Sequence, residues 1–165
     1  MLAMAFLATT SCLVTEDLQP YVPPDPPVNT WPRIIEASVS PKNSQPVVPS
    51  IDGFKCNELP LSLGTLADEN PADDLYVRTF VDGEIKDQAF IVSTDNVERI
   101  GYTFTFLPGE WCKGYHVVKV LIADGQFSTS GAFDELQDPN KHGMVSYVWA
   151  VNTSACSNGV GQCSP

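Results

Sequence analysis

From residue 33 onward, apolar residues recur at every second position in short runs, and each run ends at proline, glycine or clustered aspartate. A period of two is the signature of a strand with one buried face, whereas a helix needs apolar residues three and four apart. Fourteen prolines and eleven glycines punctuate the chain and leave little room for a long helix. The alternation predicts strands at residues 33–39, 59–67, 75–81, 88–92, 99–107, 115–123 and 144–151. In the first, Ile35, Ala37 and Val39 share one side. Leu59, Leu61 and Leu63 do so in the second, and Tyr102, Phe104 and Phe106 in the fifth. Turns are expected at Asp82-Gly83, Pro108-Gly109 and Asp124-Gly125. The proline-rich residues 41–50 form a crossover. The expectation is an all-β chain: one antiparallel sandwich of about seven strands over residues 33–156, with a short tail over 157–165.

Charge narrows the function. Twenty acidic residues face nine basic ones, for a net charge of -11. Phosphate backbones demand net cation density, so nucleic acid is not an expected partner. No apolar run reaches the ~18–20 residues of a membrane-spanning helix.

Residues 1–11 are uncharged and mostly small or apolar, and Cys12 follows. The stretch Leu7-Ala8-Thr9-Thr10-Ser11-Cys12 resembles the end of a bacterial lipoprotein signal peptide, with Ser11 as the small residue before the lipidated cysteine. Thr9 departs from the usual aliphatic residue. The basic head of such leaders does not precede the apolar stretch, so the leader is expected to begin upstream. The resemblance implies lipidation of Cys12 and anchoring in a bacterial cell envelope. The absence of Asp at position 13 favours the outer membrane. Residues 12–32 hold six prolines with Glu16, Asp17 and Asp25. Such a composition favours extended polyproline II, and it reads as a tether.

The segment Gly114-Tyr115-His116-Val117-Val118-Lys119-Val120-Leu121-Ile122-Ala123-Asp124-Gly125 resembles the penultimate strand of bacterial immunoglobulin-like and PKD-like domains. The acidic stretch Asp68–Asp74, followed by Leu75 and later Asp82-Gly83, resembles their acidic loop and central strand. The central tryptophan of that family is absent, and Thr79 and Phe80 stand in its neighbourhood. With Cys12 lipidated, Cys56, Cys112, Cys156 and Cys163 remain for two disulfides in an exported chain. Under the immunoglobulin-like strand order, Cys56, Cys112 and Cys156 fall at one pole. That implies pairs Cys56–Cys112 and Cys156–Cys163, with Cys112–Cys156 as the runner-up.

The same order sends the loops 68–74 and 124–143 to the other pole. Asp68, Glu69, Asp73, Asp74 and Asp124 would then be candidate ligands for calcium, which takes hard oxygen donors from irregular loops. Solvated turn-forming acids are the plainer reading. The long loop 125–143 carries Phe127, Phe133 and Leu136, either as a partner-binding tip or folded back over the sandwich. His116 alternates with Val118, Val120 and Ile122 and reads as a core histidine, and His142 as a loop residue. No nucleophile elbow, phosphate loop or zinc spacing occurs. The chain therefore reads as a non-catalytic lipoprotein that binds another envelope protein. The alternative is a surface adhesin or carbohydrate-binding module that takes up polysaccharide through the acidic and aromatic loops.

Overall fold

A computed structural model describes residues 29–42, 45–49, 56–129 and 135–156. The chain forms two antiparallel sheets packed face to face. In the first sheet β3 (Leu59–Ala67) is central. On one side it pairs with the short strands β1 (Arg33–Ile34) and β2 (Val39–Ser40), and on the other with β6 (Glu98–Phe106). The second sheet runs in the order β5 (Glu84–Ile91), β4 (Leu75–Val81), β7 (Tyr115–Ala123) and β8 (Met144–Asn152). With β1 and β2 as one interrupted strand, this is an antiparallel β-sandwich of seven strands. Among the described residues no helix is long and apolar enough to cross a membrane.

The core lies between the sheets. Leu59, Leu61, Leu63, Phe106, Val118, Val120, Ile122, Trp149 and Val151 form it, and all are buried. Trp149 donates its indole N–H to the Pro41 carbonyl at 2.9 Å. It thus fills the centre from β8. Thr79 is buried and shares a 2.9 Å hydrogen bond with the Tyr102 hydroxyl.

Two local departures from simple alternation follow from side-chain chemistry. The expected first strand is broken by a 3-10 turn at Glu36–Ser38. The Ser38 hydroxyl donates to the Ile35 carbonyl at 2.7 Å and accepts from the Thr65 amide at 2.7 Å. A side chain thus replaces a ladder bond, as serine readily does. On β3 and β6 the buried set changes parity. Leu63 and Tyr102 point inward as partners, and so do Leu66 and Arg99 three positions along. Between them lie Gly64 and Gly101, where a Cβ on Gly101 would sit 1.4 Å from the Leu63 carbonyl oxygen.

The hairpin between β4 and β5 turns at Asp82 and Gly83, both at positive φ (50° and 86°), as a tight two-residue hairpin loop requires. Beyond β2 the chain crosses to the second sheet, where Val47 pairs in parallel with Val151. This bridges the end of β8's outer edge through Val47 N–H to Ala150 and Asn152 N–H to Val47, both 2.8 Å.

One disulfide joins Cys56 to Cys156, with Cα atoms 5.4 Å apart. The pairs Cys56–Cys112, Cys156–Cys163 and Cys112–Cys156 are therefore corrected. The residue beside Cys112 is Thr153, whose hydroxyl donates to the Cys112 carbonyl at 2.8 Å. The turn closed by Cys156 N–H to Thr153 C=O then brings Cys156 to the start of β3. Cys112 is disulfide-bonded as well. Cys12 and Cys163 lie outside the described residues.

Candidate functional site

The loops 68–74 and 124–142 meet at the pole opposite the Cys56–Cys156 disulfide, and they enclose a cleft of about 400 Å³. Tyr76, Gln126 and Gln137 line it together with Asp73, Asp138 and His142. Each loop is held by buried polar contacts. Arg99, reaching up from β6, donates to the carbonyls of Asp73 and Asn70 (the latter at 3.2 Å) and so shapes the first loop from below. Asp68 is fully buried beside it, with Oδ1 accepting from the Asn70 amide at 2.9 Å and Oδ2 3.8 Å from the Arg99 guanidinium. Burial pushes the Asp68 carboxyl above the usual carboxylate range, more than the Asn70 amide and the Arg99 charge lower it.

Asp124 pins the second loop. Its Oδ1 accepts from the Gly143 amide at 2.7 Å, and its Oδ2 accepts from the Asn29 side chain at 2.9 Å. His142 Nδ1 lies 3.5 Å from Asp124 Oδ1. Asn29 also donates to the Lys141 carbonyl at 2.6 Å and accepts from the Asn70 side chain. Trp31 lies against Gly143, where a Cβ would come 2.1 Å from the indole Cδ1. The chain is therefore clamped to this pole before β1 begins. Asn29, Asn70, Arg99, Tyr76, Gln126 and Gln137 carry no periodic or motif signal, so sequence reasoning missed them.

Among the described residues the five acids proposed for calcium do not form a ligand set. Asp68 is turned inward to Arg99, and Glu69 is exposed and paired with Arg33 at 3.3 Å. Asp74 caps the Ser93 amide at 2.7 Å, and Asp124 spends both oxygens on Asn29 and Gly143. Asp73, Asp74 and Asp124 line the cleft, but among the described residues no three His, Cys, Asp or Glu side chains are placed to hold a metal ion. Asp138 serves its own turn: its carbonyl accepts from the Lys141 and His142 amides, and its carboxylate pairs with Lys141 at 3.0 Å. That lysine holds the Asp138 carboxyl below the usual range.

Of the aromatic loop, Phe127 is buried and forms an antiparallel bridge with Leu136. Both pack on the outer face of the second sheet with Phe80, Leu121 and Ala123. The folded-back reading holds for them, because Phe80 and Leu121 leave an apolar patch there that needs cover. The Arg78 guanidinium stacks over the Phe127 ring, 4.7 Å from its centroid, and donates to the Ser128 carbonyl. Phe133 lies outside the described residues. A second groove, of about 270 Å³, runs between this loop and the β4–β5 face.

His116 is a core histidine at the other pole, with Nδ1 2.7 Å from Asp82 Oδ2 and Nε2 2.9 Å from the Cys112 carbonyl. It is packed between Phe106 and Trp111. Comparison with family models, curated proteins and solved structures returned no match for this chain.

Proposed function

We propose that the protein is a non-catalytic binding module of a bacterial cell envelope, anchored in the outer membrane by lipid on Cys12 and engaging another envelope protein. The likeness of Leu7–Cys12 to a lipoprotein leader and the proline-rich run after it support the anchor. The observation that carries the reading is the clamp at Asn29, which fixes where the chain enters the sandwich. The tether would join the module at the pole that bears the cleft. Residues 13–28, extended, would span about 50 Å at ~3.1 Å per residue, enough to reach a partner near the membrane surface.

In-cell crosslinking of the tagged protein, followed by mass spectrometry, tests this reading. A stoichiometric envelope protein is the expected capture, and Cys12→Ala should release the protein from the membrane fraction. Retention of Cys12→Ala in the membrane, or failure to capture any envelope protein, would overturn it. One observation favours the adhesin alternative: Tyr76 lies in a cleft lined mainly by carboxylates and amides, with His142, a lining that suits a sugar. Polysaccharide binding that Tyr76→Ala abolishes would establish that reading instead.

A further inference from the structure

We propose that the second half of β5, from Gln88 to Ile91 and on to Val92, is a docking edge. It takes up an extended segment of a partner protein that is apolar along its length and carries a lysine or arginine at one end. This rests on the binding-module reading and names its mode.

The four edges of the two sheets differ. β1 and β2 are interrupted by the 3-10 turn, and β8 is bridged by Val47 only at its end, between Ala150 and Asn152. β6 pairs with β3 alone among the described residues, and neither groove described above borders it. β5 pairs with β4 alone among the described residues. Its first half is guarded as exposed edges usually are. Lys86 and Glu84 form an ion pair at 2.7 Å, the charged Asp87 turns inward to Tyr102, and the register shifts opposite it between Thr79 and Phe80. Its second half has no such guard: residues 88–92 read Gln-Ala-Phe-Ile-Val, without charge. Phe90 and Val92 are 64% and 60% exposed.

The backbone of that half is presented outward. The Gln88 amide is taken by the Asp87 carboxylate at 2.9 Å rather than by β4. Gln88, and Phe90 two residues on, thus belong to the set whose peptide groups point away from the ladder. A strand added there gains main-chain hydrogen bonds, and adjoining pockets supply selectivity. A groove of 270 Å³ adjoins this edge on the β4–β5 face, lined by Val77, Ala89, Phe90 and Phe127 together with Arg78 and Gln88. Tyr76, Gln126 and Gln137 line both this groove and the acidic cleft, so the two form one continuous track. The track is apolar beside β5 and acidic at the pole, with Asp73 and Asp138 at the acidic end. Charge complementarity therefore selects an occupant with a cation at that end. It disfavours a second copy of this chain, which carries -11.

The test uses the full chain with Cys12→Ala and fluorescent peptides of alternating valine and threonine, ending in two lysines or two glutamates. Anisotropy should show the lysine peptide bound at least about tenfold more tightly than the glutamate peptide, and hydrogen exchange at Phe90 and Val92 should slow. Phe90→Pro, which removes the outward N–H, should weaken binding about tenfold. Phe90→Lys should do the same with the backbone intact, if the proline variant does not fold. Asp73→Asn should reduce the lysine preference about threefold. Equal affinity for the two peptides would overturn the proposal, as would indifference to both Phe90 variants. Self-association that protects the same amides would overturn it too. In cells, a photocrosslinker at Val92 should capture the envelope partner. Capture only from a remote site such as Ser146 would overturn the docking edge while leaving the binding-module reading standing.

Discussion

Asp68 shows how one buried carboxyl sets a pH dependence. Desolvation raises it above its ordinary value of 3.8, so the folded chain holds this proton more tightly than the unfolded chain does. Its stabilising contribution is therefore complete below that ordinary value and is lost as pH rises through the higher folded value. Asp68→Asn keeps an acceptor for the Asn70 amide and removes the titration. Relative to the parent, the variant should gain stability between about pH 4 and about pH 7. Urea unfolding at the two pH values measures this, and a difference that does not change with pH would refute it. His116 gives a second test. Its ring serves Asp82 and the Cys112 carbonyl from a buried position. His116→Leu fills most of the volume but leaves both acceptors short of a donor, and should cost about 1–3 kcal/mol in denaturant unfolding. The burial of His116 was legible from its alternation with Val118, Val120 and Ile122. Its two partners were not, because they come from residues 34 positions and 4 positions away on separate turns.

Legibility of the elements depended on whether period two held throughout. β3, β4 and β7 have the ends that alternation and turn residues predict. β5 is longer than its apolar residues suggest, because the Asp82-Gly83 turn starts pairing at once, before any apolar run begins. The first strand is broken because the Ser38 hydroxyl competes for backbone groups, an event with no periodic trace. The parity change on β3 and β6 was equally hidden, since alternation read from one strand assumes a single phase. Gly101 makes it sterically feasible, and Gly101→Ala places a methyl group on the Leu63 carbonyl. That substitution should destabilise by about 3 kcal/mol or prevent folding, as overpacking against backbone leaves little to yield. Circular dichroism melting checks it, and a melting temperature equal to the parent's would show that the strands can separate there without cost.

Across the whole molecule, the Cys56–Cys156 disulfide spans 100 residues of chain and ties the start of β3 to the turn after β8. In the chain-entropy model a closure of that length is worth about 4–5 kcal/mol, and loss of native disulfides commonly costs about 2–5 kcal/mol. Replacing both cysteines by serine should lower the unfolding free energy by that amount, and non-reducing peptide mapping of the parent should recover the Cys56–Cys156 peptide. The amino-acid sequence by itself determined the all-β class, the position of most strands and turns, and the meeting of the two acidic loops at one pole. Strand period and turn chemistry are local properties, and the order of strands in such a sandwich assigns loops to poles. Only the tertiary structure decided which cysteines pair, which acids are spent on internal hydrogen bonds, and that Phe127 covers the sheet. It alone clamps Asn29 to the cleft and, among the described residues, leaves β5 paired on one side only. Those outcomes depend on distances between residues far apart in the chain, and no local pattern encodes them.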